Sequence, residues 1–499
     1  MNPSGSILAI DQSTSSTKVM LFLPDGTIRD RVNFEHTQIY PQAGWVEHDA
    51  EEIFNNVLNA SSELLKRNPD KADTLLALSI TNQRETFVIF DRDSGKPLHH
   101  AIVWQCRRGD ECCKRLISNG LSEKVHNMTG LKIDTYFPAS KLNWLVSKHP
   151  ELGKKLKDGT ALFGTIDTYL IYRLTEGKVY ATDHTNASRT LFYNINKFRW
   201  SSELCDIFDL EFAELPEIRE SSAWFGDTDL GGLLRRRVPI WGVIGDSQSA
   251  LFAQKCFSPG DTKVTFGTGS SILLNIGGDI ALSDKGSITA LAWVLQNKPS
   301  YAFEGIINFT GATITWLRDQ LQIINDPAET AQIATSVDSS DGVYLIPAFV
   351  GLSAPYWRAD ARAAILGMTP STTRAHIMRA ALESIGYIVT DVLMAMGKEA
   401  DVKLNVIHAD GGAVRNRFLM QFVADMNHLT VHAAQTPELS ALGAVFSGCL
   451  GLKIFSSLDE LANLPSGFTK YDPSMELQTA NRLFSGWKSA VQQVLYQKE

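Results

Sequence analysis

Four stretches of this chain carry side chains whose types and spacing could do chemistry. In the first, Ile7 to Leu23 (ILAIDQSTSSTKVMLFL), the carboxylate of Asp11 ends a short apolar run. A turn without large apolar residues follows, then the basic Lys18, then a second apolar run. A carboxylate and hydroxyls at the mouth of a buried strand suit a phosphate–metal site. Hydroxyls and backbone N–H groups face the phosphate oxygens, and the carboxylate holds a hydrated Mg²⁺. A surface hairpin with a solvated tip has the same pattern, and this stretch alone does not choose. Lys263 to Ile276 (KVTFGTGSSILLNI) repeats the strand–polar turn–strand unit in the second half, which hints at two similar halves each offering a turn to one ligand.

In the second stretch, the apolar run Leu75 to Thr81 ends in Asn82-Gln83-Arg84-Glu85. An arginine donates in a fixed fork and a glutamate accepts from hydroxyls, so the neighbours Arg84 and Glu85 suit the grip of a polyol. An exposed ion pair on a loop is the commoner meaning of such neighbours. The third stretch, IWGVIGDSQSALF (240–252), ends an apolar strand in Gly245-Asp246 and starts a helix at Ser247. Asp246 can simply cap that helix, but a general base for a hydroxyl attacking a phosphoryl group also belongs there. The fourth is a strand over 404–410, then Gly411-Gly412, a helix over 418–426 and a strand over 429–433. Such a unit lets backbone approach a nucleotide at the strand's carboxyl end. Trp104, in AIVWQCRRGD, offers a flat apolar wall or a core contact. Tyr136, in GLKIDTYFPASKLNWL, is a ligand contact or a helix-entry packing residue.

The elements that must position these groups are legible around them. Asp49-Ala-Glu-Glu52 reads as a capping box, opening an amphipathic helix over 50–67. Runs over 86–90 and 98–104 look like a hairpin around Asp93 to Pro97. His376 to Gly397 places Ile377, Ala381, Ile385, Ile388, Val392 and Met396 on one helical face. The small residues of 440–451 suit a helix packed close to a sheet. The tail after Asp472 reads as a helix with Trp487, Val491 and Val494 on its inner face.

Composition narrows the classes. The 499 residues, 44% apolar and 20% charged, describe an ordinary globular chain, long enough for roughly two to four domains. A net charge of −8 gives no reason to expect nucleic acid or an anionic membrane as partner. No apolar run approaches the roughly 18 residues of a span, and Met1 to Gly5 lacks a signal-peptide start. Cys106, Cys112, Cys113, Cys205, Cys256 and Cys449 form no C-x-x-C pair, so reduced thiols and a cytoplasmic location are expected. Arg235-Arg236-Arg237 reads as a solvated face, with an anion-binding loop the less common meaning.

Taken together, the motifs resemble the FGGY family of carbohydrate kinases nearly end to end. They are LAIDQSTSSTK (8–18), YPQAGWVEHD (40–49), ITNQRET (80–86), AIVWQCRR (101–108), LFGTIDTYLIYRLT (162–175), TDHTNASRTLFYNI (182–195), GDSQSALF (245–252), FGTGS (266–270), PAFVGLSAPYW (347–357), AAILGMTPSTTRAHIMRAALE (363–383) and DGGAVRNRFLMQF (410–422). TNQRET with AIVWQCRR is the specific part, because the ketose kinases of the family differ there. The resemblance implies an α/β fold of two actin-like, ribonuclease-H-like domains around a cleft. Residues 1–254 would form an N-terminal domain with the polyol site and the base, and 255–499 a C-terminal nucleotide-binding domain. It implies ATP-dependent phosphorylation of the terminal hydroxyl of a small polyol, with glycerol to glycerol 3-phosphate as first choice. Arg84, Glu85, Trp104, Tyr136, Asp246, Ser247 and Ser271 would meet the polyol, with Asp246 as base. Asp11 would hold Mg²⁺, and Thr14, Ser15, Ser16, Lys18 and Thr268 would line the phosphates. Gly311, Thr315, Gly412 and Asn416 would contact adenosine. A homodimer or a homotetramer is the assembly to consider.

The chain departs from the family's glycerol-using members at two positions. Ser247 stands where they carry Gln, and Ser271 where they carry Phe. Losing an amide and an aromatic wall suggests a larger, more polar pocket, which makes a tetritol, pentitol or pentulose the alternative acceptor. GGLLRRRVP keeps only part of the loop pattern tied to control by fructose 1,6-bisphosphate, so that control is not expected. An ATP-operated switch is the competing class; it needs the phosphate turns but neither a base nor a polyol grip.

Overall fold

The computed structural model of the chain describes residues 5–352 and 354–496. Residues 1–4, on which part of the expectation about a leader falls, and Ser353 of the 347–357 motif lie outside them. Ile7, Leu8, Ala9 and Ile10 are wholly buried within Ser6–Gln12. A strand apolar on both faces belongs in the middle of a covered sheet. It runs antiparallel to Ser16–Phe22 and parallel to Leu75–Asn82. The six-stranded order is Trp224–Thr228, Val238–Gly245, Leu75–Asn82, Ser6–Gln12, Ser16–Phe22, Ile28–Glu35.

The second half repeats the plan. Thr262–Phe266 runs antiparallel to Ser270–Gly277 and parallel to Ile407–Asp410. The seven-stranded order is Ile288–Leu295, Lys298–Ile307, Ser270–Gly277, Thr262–Phe266, Ile407–Asp410, Val431–Ala434, Phe468–Tyr471. Three antiparallel strands in the first sheet and four in the second continue into two parallel ones, so the echo between the two polar turns reflects one topology used twice. These are the two α/β halves expected of an actin-like fold.

Local expectations hold with adjustments. Helix Ala50–Arg67 opens at Asp49, whose carboxylate accepts from the Glu51 and Glu52 N–H groups. The reciprocal half of the capping box is absent, because Glu52 instead accepts from the Thr37 N–H at 3.1 Å. The hairpin at 86–104 is shorter than its apolar runs suggest. Only Phe87–Asp91 and Ala101–Ile102 are strands, within a small sheet that also holds Ala161–Thr165, and Trp104 lies beyond them. Helix Arg374–Ala400 is long and apolar enough to cross a membrane, yet 89% of its apolar window is buried inside the protein, which makes it a core helix. All six cysteines are buried and free. In the arginine run, Arg236 donates to the carbonyls of Asp73 and Leu75 and Arg237 pairs with Glu176; both side chains brace an exposed loop.

Helix Leu439–Gly451 does pack close to a sheet, but to that of the other half. It lies on Val238–Gly245, Leu75–Asn82 and Ser6–Gln12. Gly443 and Gly448 permit this, because a Cβ at the first would overlap the Ser249 carbonyl and at the second would press on Trp241 and Ser79. One apolar cluster therefore runs across both halves, from Ile7 and Met20 through Ile244 and Leu251 to Trp293 and Val445.

Candidate functional site

Strand Leu75–Asn82 delivers Arg84 and Glu85 into the interior, where they are 5% and 1% exposed. The ion pair that their adjacency suggested is present at 4.0 Å, but it is buried, not exposed on a loop. Glu85 sits at φ 61°, a left-handed conformation that costs a non-glycine residue about 1–3 kcal/mol. The surrounding bonds over-determine it. Arg84 Nε lies 3.1 Å from Asp246 Oδ1, its Nη2 donates to Glu304 Oε1 at 2.9 Å and its Nη1 to Gln248 Oε1 at 3.1 Å. Arg189, wholly buried, donates its Nε to Glu85 and its Nη1 to Glu304 Oε2. Burial opposes the charge of Glu304, but Arg189 and Arg84 hold its carboxyl down to about 2. Burial pushes Glu85 up, with Arg189 and Arg84 offsetting only part of it.

Beside this network the Trp104 and Tyr136 rings stand 5.3 Å apart, and the Arg189 guanidinium lies 5.7 Å from the Tyr136 ring. Both aromatics are half-buried, and the Tyr136 ring also packs on Phe137 at 5.4 Å. The Trp104 indole N–H donates to Thr14 Oγ at 3.0 Å, tying this wall to the first polar turn.

Asp246 is the first residue of helix Asp246–Ala253, and Gly245 occupies the cap position. Simple capping therefore does not account for Asp246. Its Oδ1 accepts from the Ser247 N–H at 2.6 Å, while 37% of the side chain stays exposed. It opens on a cavity of about 250 Å³ shared with Ser247, Lys263, Thr265, Asp410 and Ser440. Gly245 allows the approach, since a Cβ there would come within 2.9 Å of the Arg84 stem.

Asp11 is 6% exposed, and burial pushes its carboxyl up to about 7; Lys18 opposes the shift while Asp246 and Glu438 add to it. Asp246 is thus near enough to act on Asp11 through its charge. Lys18 is not a free phosphate ligand here: its ammonium bonds Glu438 at 2.8 Å, and Arg31 takes the other oxygen at 2.7 Å. Glu438 precedes the crossing helix, so the second half supplies the partner. Ser15 is exposed at the first turn, Thr14 is half-buried and Ser16 is buried. Thr268 is exposed at the tip of the second turn.

Gly311 packs on that second turn, its N–H donating to the Gly267 carbonyl at 3.0 Å. Thr315, one helical turn on, is exposed and bonds back to Gly311. Gly412 is open, with nothing near the place a Cβ would take. Asn416 is already committed as the cap of Arg417–Asn427, accepting from Leu419 N–H and donating to Thr330, each at 3.0 Å. Ser247 faces the Asp246 cavity. The Ser271 hydroxyl is sealed from solvent without a hydrogen-bond partner, so it adds no open space for a longer acceptor.

Sequence reasoning did not single out Arg189, Glu304, Gln248, Lys263, Asp410 or Glu438. For Glu304 a signal was present: a lone charge in the apolar run YAFEGII reads as a paired or functional carboxylate. Arg189 lies within a motif but carries no local mark of its partners.

Two family models match the chain: the N-terminal domain of the FGGY family of carbohydrate kinases over residues 6–253, and its C-terminal domain over 262–452. Among curated proteins, glycerol kinase 1 of Thermotoga maritima is 46% identical over 98% of this chain and 99% of its own length. The glycerol kinase of Staphylococcus haemolyticus is 43% identical over 97% of each. Among solved structures, Plasmodium falciparum glycerol kinase with ADP superposes with a TM-score of 0.95 at 38% identity, over 99% of both chains. A ligand-bound xylulose kinase from Lactobacillus acidophilus gives 0.87 at 22% identity over 97% of both, a likeness of fold. With the doubled hairpin sheet, the buried Arg–Glu network and full-length matches in agreement, the chain belongs to the FGGY family of carbohydrate kinases.

Proposed function

We propose that this protein transfers the terminal phosphoryl group of ATP to a primary hydroxyl of glycerol, giving glycerol 3-phosphate and ADP. The observation that carries the reading is Asp246: a half-exposed carboxylate held by Arg84, opening on a cavity and near enough to act on Asp11 through its charge. The relatives named above support glycerol over a longer polyol or a pentulose, since the xylulose kinase shares only the fold. A purely ATP-operated switch would have no use for the Arg84–Glu85–Asp246 grip.

In this reading Arg84 and Glu85 hold the acceptor's hydroxyls, and Trp104 and Tyr136 flank its carbons. Ser247 borders it; the Ser271 hydroxyl is sealed from it. Asp246 takes the proton of the terminal hydroxyl as that oxygen bonds to the γ-phosphorus and ADP departs, so little covalent chemistry falls to the protein. The first turn (Thr14, Ser15, Ser16) and Thr268 face the phosphates, with Lys18 set back against Glu438. Gly311, Thr315, Gly412 and Asn416 border the adenosine. The Asp11 carboxyl, pushed up by burial that Lys18 only partly offsets, fits a divalent cation. Among the described residues there is no cage of three or more metal-ligating side chains, and Mg²⁺ needs only one or two carboxylates beside phosphate and water. Mg²⁺ held there would neutralise phosphate charge. The polyol grip lies within 1–254 and the adenosine contacts within 255–499, with helix Leu439–Gly451 crossing between them.

ADP release measured over glycerol, erythritol, xylitol and xylulose tests this. The expected result is the highest kcat/KM on glycerol. A clear preference for another acceptor overturns the substrate, and ADP release indifferent to every acceptor overturns the kinase reading.

A further inference from the structure

Helix Pro138–Lys148 buries Pro138, Lys141, Leu142 and Leu145 on one stripe, and Lys141 is 0% exposed. A lysine in an apolar stripe needs an explanation. Its ammonium donates to three backbone carbonyls: Val103 at 3.2 Å, Trp104 at 3.3 Å and Tyr136 at 3.1 Å. Among the described residues those are its hydrogen-bond partners, with Glu85 and Asp134 acting on it only through space. A buried ammonium without a carboxylate beside it is costly, and an apolar side chain of similar volume would stabilise the fold better. Stability alone therefore does not explain Lys141.

What the three bonds share is their location. Two carbonyls belong to the segment that ends in Trp104 and the third to Tyr136, so one ammonium fixes both aromatic walls from behind. We propose that Lys141 is a positioning residue for the acceptor, its ammonium setting the spacing of Trp104 and Tyr136 and so the width of the slot for the polyol carbons. The inference rests on the reading of these two aromatics as acceptor walls. Burial pushes the Lys141 amine down to about 8, in keeping with a group held in place by geometry rather than by a counter-charge.

The test compares the full chain with Lys141→Met and Lys141→Gln. A slot misplaced by about 1 Å can cost a hundredfold. The expected result is a glycerol KM raised at least about tenfold in Lys141→Met, with a smaller rise in Lys141→Gln, whose amide still donates. The ATP KM should stay within about twofold, and the melting temperature of Lys141→Met should be unchanged or higher. A glycerol KM unchanged in both variants overturns the proposal, as does a parallel rise of both KM values with a lowered melting temperature. A crystal structure of Lys141→Met gives a readout independent of activity: the Trp104–Tyr136 separation should change, and an unmoved pair overturns the proposal. Failure of the glycerol reading would show instead in the wild-type acceptor panel.

Discussion

Arg84 and Asp246 meet at the floor of the cleft, Nε to Oδ1 at 3.1 Å, and the Ser247 N–H falls on the same oxygen. Both contacts fall on one carboxylate oxygen of a residue that lines the cavity, which suits the other to proton acceptance. Asp246→Asn keeps the shape and removes the basicity. The expected result is a kcat lower by about 10²–10⁴-fold, with glycerol still bound in calorimetry. Activity within a fewfold of wild type would remove Asp246 from the chemistry.

Glu304 is the shared acceptor of Arg84 and Arg189, and it comes from the other half of the chain. Glu304→Ala leaves two buried guanidinium groups short of counter-charge. Breaking a buried pair of this kind costs about 3–5 kcal/mol, to be read as a shift in urea midpoint. Because the network also fixes Glu85, glycerol KM should rise with the loss of stability. A midpoint unchanged by the substitution would contradict the network's role.

Gly443 lets the crossing helix touch the Ser249 backbone. Gly443→Ala forces a Cβ into that carbonyl, and the backbone cannot yield as a flexible side chain would. The expected outcome is overpacking costing about 1–3 kcal/mol or more, seen as a lower melting temperature and poorer soluble yield. Gly232→Ala is a weak control for bulk alone, with open space around it but a φ of 85°.

Buried histidines set an acid limit. Burial pushes His48 down to about 3 and His184 to about 4, from 6.5. Their folded values lie below the unfolded one, so the stability they contribute is present above pH 6.5 and is lost as pH falls toward 4. The raised Asp11 and Asp167 carboxyls gain stability as pH falls over the same window, so the readout is a difference: the wild-type urea midpoint should fall relative to that of His184→Gln as pH goes from 7 to 4.5. A difference between wild type and variant that stays constant from pH 7 to 4.5 would contradict this.

Lys141 predicts a slope at the other end. Its amine is lowered from 10.5 to about 8, so the unfolded chain binds the extra proton between those values. Wild-type stability should gain on Lys141→Met as pH rises from about 8 to 10.5. Denaturation of the two proteins at pH 7.5 and 10 reads the difference; an equal gap at both would place the amine outside that range.

Much of this was written locally. The run Ile7 to Ile10, the hydroxyl turn and Val19 to Leu23 specify a buried hairpin by apolar content, and its echo at 263–276 specifies a second half. Asp11, Arg84 and Asp246 stand at strand ends, where a sheet delivers polar groups to its carboxyl edge. Lys141 was legible in principle, being three and four residues from Pro138 and Leu145 on an apolar stripe, but spacing does not tell what its ammonium faces.

The sequence by itself determined which segments become strands and helices and which chemical groups stand at their ends, because those depend on near neighbours and on the periodicity of burial. Only the tertiary structure decided how the charges are shared. Arg84 keeps only a 4.0 Å contact with its sequence neighbour Glu85; its shorter contacts are with Asp246 and Glu304, and Glu85's shortest is with Arg189. Lys18 answers to Glu438, brought over by a helix from the far half. A buried charge is settled by whatever opposite charge the completed fold places within a few ångströms, and that distance is set by packing between halves, which local sequence does not encode.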